Sequence, residues 1–319
     1  MTDSSMRVAL AQLRARLLQR EAALEAVMQA MVDAAGQGAR LVVFGEALVP
    51  GYPWWIERID GSRFDHPLMR QLHAQYLDQA VCIEAGHLDQ VCAVAADLQI
   101  ACYLGIIERP LDRAGHSLYA SLVYIDPEGK IQSVHRKLMP THEERLAWAP
   151  GDGHGLKVHS LGPFTLGGLN CWENWMPLPR ASLYAQGENL HVAVWPGSDG
   201  LTRDITRFIA REARSFVVSV GNVMHSDDLD ADFPGRDRLQ SPQHAGVWAN
   251  GGSCVAGPDG AWLLEPQTDG EGLWVVDLRI HQVLEARKLF DPSGHYSRAD
   301  VTCLEVDRRR KAVARFIDG

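Results

Sequence analysis

The chain has 319 residues, of which 46% are hydrophobic, so it can bury a sizeable core. Its 31 Lys and Arg against 40 Asp and Glu give a net charge of −9, which argues against nucleic acid or an anionic membrane as the partner. The start MTDSSMRVALAQL has no basic region before a long apolar core, and no later segment reaches the roughly 18 apolar residues of a membrane span. We therefore expect a cytoplasmic globular protein that acts on a small molecule.

Strand and helix patterns alternate along the chain. Residues 6–13 form an apolar run typical of a buried strand, a helical pattern follows and ends at Gly36 and Gly38, and residues 39–46 predict the next strand. A second helical pattern covers 79–98. Further strands are predicted at 100–108, in a hairpin around 126–129, and at 157–161, 164–170, 189–195, 216–224, 252–257 and 273–278.

Two more helices and one long loop complete the prediction. The helices cover 177–187 and 203–215, the second with Ile205, Phe208 and Ile209 on one face. Residues 225–246 are polar, acidic and rich in turn formers, and a loop of that length in a compact domain is usually disordered or functional. The mixture of elements predicts a single layered α/β domain over 1–319.

Several common catalytic motifs are missing from the sequence. It has no GxGxxG or Walker-type loop, so GDGHG at 151–155 is interpreted as a turn. It also has no HExxH, no close Cys/His ligand set and no GxSxG. We therefore expect no metal and no cofactor, in an enzyme or in a protein without catalytic activity.

Three polar residues close otherwise apolar strands. Glu46 ends the strand in LVVFGEALVPGYP, Lys137 ends another in SVHRKLMPTHEER, and Cys171 ends a third in TLGGLNC. Groups at strand ends of layered α/β proteins project into the crevice where ligands bind, so these side chains could meet. They would supply a thiol, a carboxylate to accept its proton and an ammonium to hold negative charge, as covalent catalysis at an electrophilic carbon requires.

Each of these residues also has a plainer interpretation. Glu46 could be a solvated loop carboxylate, Lys137 could form an exposed basic pair with Arg136, and Cys171 could simply be buried. No CxxC occurs, and we expect reduced thiols. The other cysteines lie in or beside apolar stretches and are predicted to be structural: Cys82, Cys92, Cys102, Cys254 and Cys303.

Longer stretches around the three residues resemble a known family. The three catalytic blocks of the nitrilase superfamily of carbon-nitrogen hydrolases, in its true nitrilase branch, are similar to FGEALVPGYPWW, HRKLMPTHEERLAWAPGDG and GGLNCWENWMPLPRASLYAQGENLHVAVWP. The same branch resembles MRVALAQ, GGSCVAGPDG and GHYSRADV, so the likeness covers nearly the full chain. It implies that the family's glutamate falls on Glu46, its lysine on Lys137, its nucleophile on Cys171 and a second glutamate on Glu144.

The resemblance also implies a fold and an assembly. The family fold is a four-layer α-β-β-α sandwich whose subunits associate across helices. This chain ends at Gly319, soon after the last shared block, whereas many nitrilases continue into a tail implicated in filaments. We therefore expect a homodimer or a higher homo-oligomer, with a dimer favoured over long filaments. The departures are small: Gly45 stands where many relatives place proline, and Ala149 and Pro150 vary the segment before GDG.

The implied reaction is hydrolysis of an organic nitrile to a carboxylic acid and ammonia. Glu46 would take the thiol proton, and Cys171 would attack the nitrile carbon to give a thioimidate and later a thioester. Lys137 and the Trp172 backbone N–H would hold the charge on nitrogen, and Glu144 would orient Lys137 and keep it charged.

The substrate is an expectation from the same resemblance, because the Cys-Trp-Glu sequence is typical of the nitrilase branch. Tyr52, Trp54 and Trp172 are predicted to line an apolar pocket for an aryl or arylaliphatic nitrile, with core packing as the other interpretation. A cyanide-degrading enzyme or an aliphatic amidase on the same scaffold is the nearest alternative. A non-catalytic binding protein and a thiol redox sensor are the others, although no resolving cysteine lies nearby in sequence.

Overall fold

The fold is built on two six-stranded mixed sheets. The computed structural model describes residues 4–268, 270–314 and 317, so both ends of the predicted 1–319 domain lie outside the described residues. The first sheet contains β1 (Ser5–Gln12), β2 (Leu41–Phe44), β3 (Ala101–Glu108), β4 (Tyr119–Ile125), β5 (Ile131–Arg136) and β14 (Gly272–Arg279). The second sheet contains β6 (His159–Leu161), β7 (Phe164–Asn170), β8 (Leu190–Val194), β9 (Phe216–Val220), β12 (Ser253–Ala256) and β13 (Trp262–Gln267).

Both sheets have a parallel centre and antiparallel edges. The first has the order β14-β1-β2-β3-β4-β5 and the second β13-β12-β9-β8-β7-β6. In the first, β1, β2 and β3 are parallel, and in the second, β7, β8 and β9 are parallel. A separate pair is formed by β10 (Val223–His225) and β11 (Val247–Asn250).

The described part of the chain contains eight α-helices. They are α1 (Arg20–Gly36), α2 (Trp55–Arg58), α3 (Pro67–Gln79), α4 (Asp89–Leu98), α5 (Pro177–Tyr184), α6 (Asp199–Ala213), α7 (Arg236–Leu239) and α8 (Ile280–Arg287). Helices α1 and α4 pack on the first sheet, and α6 packs on the second. The layers are therefore helix, sheet, sheet, helix, which confirms the predicted α-β-β-α sandwich. No helix in the described part of the chain is long and apolar enough to cross a membrane.

The side chains of β1 show how the layers are filled. Val8 and Leu10 point into the core between the two sheets, while Ala9 and Ala11 point into the core beneath α1. Alternate residues of a strand face opposite sides, so a strand buried on both sides reads as an unbroken apolar run. This explains the continuous apolar run VALA at residues 8–11.

Strand direction places the predicted site residues. Strand β5 is antiparallel to β4, which is antiparallel to β3, so β5 runs in the same direction as β2 and β3. Glu46 and Lys137 follow the ends of β2 and β5, so both residues lie at the same end of the first sheet. Cys171 follows the end of β7 in the facing sheet.

Two predicted elements are wrong in extent. The helix predicted over 79–98 begins only at Asp89, because Gly86 has a left-handed backbone (φ 81°) and Val81 forms a β-bridge with Glu108. The strand predicted over 216–224 is broken after Val220. A Cβ on the next residue, Gly221, would lie 2.1 Å from a backbone oxygen, so the chain passes closely there and cannot continue the ladder.

Two side-chain placements also differ from the prediction. Phe208 does not share the buried face of Ile205 and Ile209 but is half exposed, with the Arg180 guanidinium 5.5 Å from its ring centre. Cys303 is exposed and belongs to no strand, so its predicted structural role is wrong. The segment 225–246 is not a plain loop, because it contains α7 and buries three apolar side chains in the aromatic core near Tyr52.

Candidate active site

Four predicted site residues meet in one buried cluster. A carboxylate oxygen of Glu46, a carboxylate oxygen of Glu144 and the Cys171 sulfur lie within 4.8 Å of one another. Lys137 lies among them, and none of the four is more than 2% exposed. The solvated interpretation of Glu46 and the exposed interpretation of Lys137 are therefore both wrong. Cys171 is buried, and it also lies beside Glu46, as the strand-end pattern predicted, and beside Glu144.

The Lys137 ammonium contacts both carboxylates. Its Nζ lies 2.9 Å from Glu46 Oε1 and 2.7 Å from Glu144 Oε2. Burial lowers the pKa of Lys137, but its acidic neighbours Cys171, Glu46 and Glu144 outweigh that effect and raise the pKa overall. The cluster therefore holds a permanent buried cation beside the sulfur.

Glu144 is held from several sides. Its Oε2 accepts a hydrogen bond from the Thr141 backbone N–H at 2.6 Å, at the start of a short 3-10 helix. The Tyr52 hydroxyl lies 3.1 Å from Glu144 Oε1 and 3.1 Å from Glu143 Oε1. Tyr52, predicted as a substrate contact, thus also holds the carboxylate that contacts Lys137.

The loop after β2 fixes the backbone of Glu46. The Glu46 N–H donates to the Trp195 carbonyl at 3.1 Å, and the Asn222 side-chain amide donates to the Glu46 carbonyl at 2.8 Å. A Cβ on Gly45 would lie only 2.1 Å from Asn222 Oδ1. This close approach explains why the chain carries glycine before the glutamate.

Burial controls the protonation of the acid and the thiol. It raises the pKa of the Glu46 carboxyl to about 8, with Lys137 acting in the opposite direction and Glu144 in the same direction. Burial likewise raises the pKa of the Cys171 thiol well above its usual range, and Lys137 partly offsets this. Both groups therefore hold their protons more tightly than usual at rest, and the ionised form of Glu46 is a strong base placed next to the thiol.

Cys171 lies on a sharp turn between β7 and a 3-10 helix that covers Cys171–Trp175. Its φ is 47°, a left-handed conformation that costs a non-glycine residue about 1–2 kcal/mol. Glu173 stabilises the turn, because its carboxylate accepts from the Asn170 N–H at 2.9 Å and the Leu138 N–H at 2.6 Å. His135 also contacts that carboxylate at 3.0 Å.

The aromatic residues predicted to contact substrate fall into two groups. Tyr52 and Trp54 are buried, with ring centres 4.5 Å apart, in the core that also contains Trp148. Trp172 is about half exposed and lies 6.2 Å from the Trp175 ring, measured between ring centres. The core interpretation thus fits the first pair, while Trp172 stands at the surface next to Cys171.

The structure also identifies functional candidates that the sequence reasoning missed. These are the buried polar residues that hold the turn at Cys171: His135, Glu173, Asn174, Glu188 and His191. One signal was present in the sequence. Asn170 followed three residues later by Glu173 is a helix-start pattern, and a glutamate there satisfies backbone N–H groups.

The cluster can carry out nucleophilic chemistry at an electrophilic carbon. It combines a buried thiol, a carboxylate with a raised pKa and a fixed ammonium, and it also has the backbone N–H of Trp172 at the turn. Such a set can remove the thiol proton and stabilise charge on an atom bonded to the attacked carbon.

Comparison with known proteins agrees with this chemistry. An aliphatic nitrilase from Rhodococcus rhodochrous is 32% identical over 98% of this chain and 82% of its own length. Nitrilase 2 from Arabidopsis thaliana is 33% identical over 93% of this chain and 87% of its own length. An arylacetonitrilase from Macrophomina phaseolina is 32% identical over 96% of this chain and 92% of its own length.

Solved structures and a family model extend the comparison. An amidase from Nesterenkonia sp. is 23% identical, with a TM-score of 0.64 over 91% of this chain and 96% of that one. A variant of that amidase shows the Michael addition of acrylamide at its active-site cysteine. The model of the carbon-nitrogen hydrolase family matches residues 7–288. The chain belongs to the carbon-nitrogen hydrolase family.

Proposed function

We propose that the protein is a nitrilase that converts an organic nitrile and two waters into a carboxylic acid and ammonia. One observation carries the proposal: Glu46, Lys137 and Cys171 meet in a buried cluster with Glu144. The three nitrilases compared above support the choice of nitrile as substrate, since each matches more than nine-tenths of this chain.

The first half of the reaction forms a covalent bond to Cys171. Glu46 takes the thiol proton, the thiolate attacks the nitrile carbon, and one π bond of the C≡N group breaks. The nitrogen gains the electron pair and a proton from Glu46, which gives a thioimidate. Lys137 and the Trp172 N–H stabilise the charge that develops on nitrogen.

The second half releases the products. Glu46, again a carboxylate, removes a proton from a water that adds to the thioimidate carbon and passes this proton to the nitrogen. The new hydroxyl then gives its own proton to the nitrogen by way of Glu46 while the carbon–nitrogen bond breaks, so ammonia leaves and a thioester remains. A second water attacks the thioester with the same base, so the carbon–sulfur bond breaks and the carboxylic acid leaves. Glu144 holds Lys137 in place through both halves, because its own carboxylate is fixed by Thr141 and Tyr52.

The substrate is proposed to be an aryl or arylaliphatic nitrile that contacts Tyr52, Trp54 and Trp172. Trp172 follows the nucleophile directly and has an exposed ring that an incoming apolar group can contact. Tyr52 bridges the aromatic core and Glu144, so its ring lies next to the cluster. Apolar walls with a few polar groups are the usual lining of small-molecule sites.

We propose that the chain forms a single domain and that its copies assemble into a homo-oligomer, of which a dimer is the smallest form. Around α5 and α6, Trp175, Met176, Leu178 and Phe208 expose apolar side chains, and Arg180 packs over Phe208. A second copy could cover such a patch. Six cysteines free of disulfides support a cytoplasmic location, where thiols stay reduced.

A substrate panel tests the function. Ammonia and acid release would be measured with an aliphatic nitrile, an arylacetonitrile, the two matching amides and cyanide. We expect equal amounts of ammonia and acid from at least one nitrile, with much slower release from the amides. Turnover of amides alone, or of cyanide alone, would favour the alternative activities on the same scaffold.

A further inference from the structure

Three buried polar side chains form a hydrogen-bonded chain behind the nucleophile. Glu188 Oε1 lies 2.9 Å from His191 Nδ1, and His191 Nε2 lies 2.8 Å from Asn174 Oδ1. The Asn174 amide nitrogen then donates to the Cys171 carbonyl at 2.9 Å. All three side chains are fully enclosed, and none of them contacts Glu46, Lys137 or Glu144 through a hydrogen bond or ion pair in the described structure.

The direction of the hydrogen bond between Asn174 and His191 follows from its neighbours. Asn174 Nδ2 faces two acceptors, the carbonyls of Cys171 and Leu169, the second at 3.3 Å. The amide oxygen must therefore face His191, whose Nε2 must donate. Glu188 contacts the other ring nitrogen, so it sets the orientation of the imidazole.

The last bond of the chain controls a peptide plane. A trans peptide is planar, and its C=O and N–H point in opposite directions. By holding the Cys171 carbonyl, Asn174 fixes the direction of the Trp172 N–H. Burial raises the pKa of the Cys171 thiol, and that N–H is among the groups that lower it, so it lies within reach of the sulfur.

We propose that Glu188, His191 and Asn174 are positioning residues that aim the Trp172 N–H at the Cys171 sulfur and at the nitrile nitrogen. The part that concerns the nitrile nitrogen rests on the proposed function, while the part that concerns the sulfur does not. A left-handed cysteine is strained and keeps its conformation only when its surroundings fix it. The hydrogen bonds from Glu188 through His191 to Asn174 supply that restraint.

The glycine pair before the cysteine fits this arrangement. Gly167 of β7 is in register with His191 of β8, and a Cβ on Gly167 would lie 2.2 Å from Glu188 Oε1. The absent side chain leaves the space that the Glu188 carboxylate occupies. On the other side, the Arg180 guanidinium donates to the Asn174 carbonyl at 2.7 Å and holds the end of the turn.

Two substitutions at one position separate positioning from general stability. His191→Leu removes the donor to Asn174, whereas His191→Gln retains an amide N–H that can reach the same acceptor. The probe is iodoacetamide, and peptide mass spectrometry follows the rate of modification at Cys171 as a function of pH. The exposed Cys303 serves as an internal reference in the same sample.

We expect Cys171 modification near neutral pH to slow about tenfold in His191→Leu, with its pH profile moved to higher pH, because the thiolate loses a hydrogen bond from Trp172. His191→Gln should restore most of the rate, and Cys303 should react equally in all samples. Should His191→Leu fail to fold, Asn174→Ala removes the amide that contacts Cys171, Leu169 and His191 and carries the same expectation.

An unshifted profile in a folded His191→Leu or Asn174→Ala protein would overturn the proposal. An equal loss in the Leu and Gln variants would assign the chain to stability alone and would also overturn it. Alkylation requires no nitrile turnover, so the result can be interpreted even where the substrate panel shows no nitrilase activity.

Discussion

Lys137 Nζ lies 2.7 Å from Glu144 Oε2, and the same ammonium contacts Glu46 on its other side. One buried cation thus lies between two buried carboxyl groups. Breaking a buried ion pair by removing one partner typically costs about 3–5 kcal/mol, since it leaves an uncompensated charge. The contacts of Lys137 should therefore contribute to the stability of the fold as well as to activity.

Lys137→Ala is expected to lower nitrile turnover by about 100-fold to 1000-fold, the usual effect of removing one charge-stabilising donor. It should also lower the free energy of unfolding, because Glu46 and Glu144 lose their shared cation. Steady-state kinetics and chemical denaturation measure the two effects. The exposed Lys130→Ala serves as the control and should change neither. Turnover within about tenfold of wild type would contradict the role given to Lys137.

Adjacent glutamates provide a matched pair of variants. Glu144→Gln removes the charge that contacts Lys137, whereas Glu143→Gln changes a neighbour that contacts Tyr52 and His142 near the surface. We expect kcat to fall about 100-fold in Glu144→Gln and only a few-fold in Glu143→Gln. Equal losses of kcat in the two variants would mean that the total negative charge near Tyr52 is important, and not the contact between Glu144 and Lys137.

The pKa of Glu46 predicts a pH dependence of stability. It rises from 4.5 to about 8 on folding, so between these values the folded protein binds the proton more tightly than the unfolded chain. The stability gained is fully present below about pH 4.5 and is lost as the pH rises through 8. Glu46 therefore contributes a fall in the free energy of unfolding across this window.

Glu46→Gln cannot titrate and should remove that fall. The difference in unfolding free energy, variant minus wild type, should therefore increase between about pH 5 and about pH 8. Urea denaturation at several pH values measures it. This comparison isolates Glu46 from other groups in the window, such as His159, whose pKa burial lowers to about 4. Parallel curves for the two proteins would show that the Glu46 pKa is not raised.

Gly167 is expected to tolerate no side chain. A Cβ there would meet the Glu188 carboxylate at 2.2 Å, and overpacking of this kind typically costs about 1–3 kcal/mol. Gly36→Ala, at the end of α1, is a suitable control because no atom lies within 4 Å of its added Cβ. Thermal unfolding should show a lower Tm for Gly167→Ala only. A wild-type Tm would mean that Glu188 can move away without cost.

Sequence patterns grouped the main residues of the candidate site because these residues follow strand ends. Glu46, Lys137 and Cys171 each follow the end of a strand, and the resemblance joined them with Glu144. The sequence could not place the Glu188–His191–Asn174 chain, since its partners meet only when β8 lies beside β7 and the turn after it.

The errors in the predicted elements have local physical causes. The helical periodicity over 79–98 continues through Gly86. The left-handed backbone at that glycine interrupts the helix, so α4 begins only at Asp89. Phe208 matched the apolar spacing of α6, yet its ring packs under Arg180 at the surface. Periodicity reports which residues are apolar and cannot report which neighbour covers them.

The central claim is that the Cys171 thiol is the nucleophile of nitrile hydrolysis. Its most direct test compares nitrile turnover in Cys171→Ala with turnover in Cys102→Ala, a buried cysteine in the core beneath the outer helices. With both proteins folded, we predict no turnover above background in Cys171→Ala and near wild-type turnover in Cys102→Ala. Nitrile hydrolysis that survives in Cys171→Ala would contradict the account.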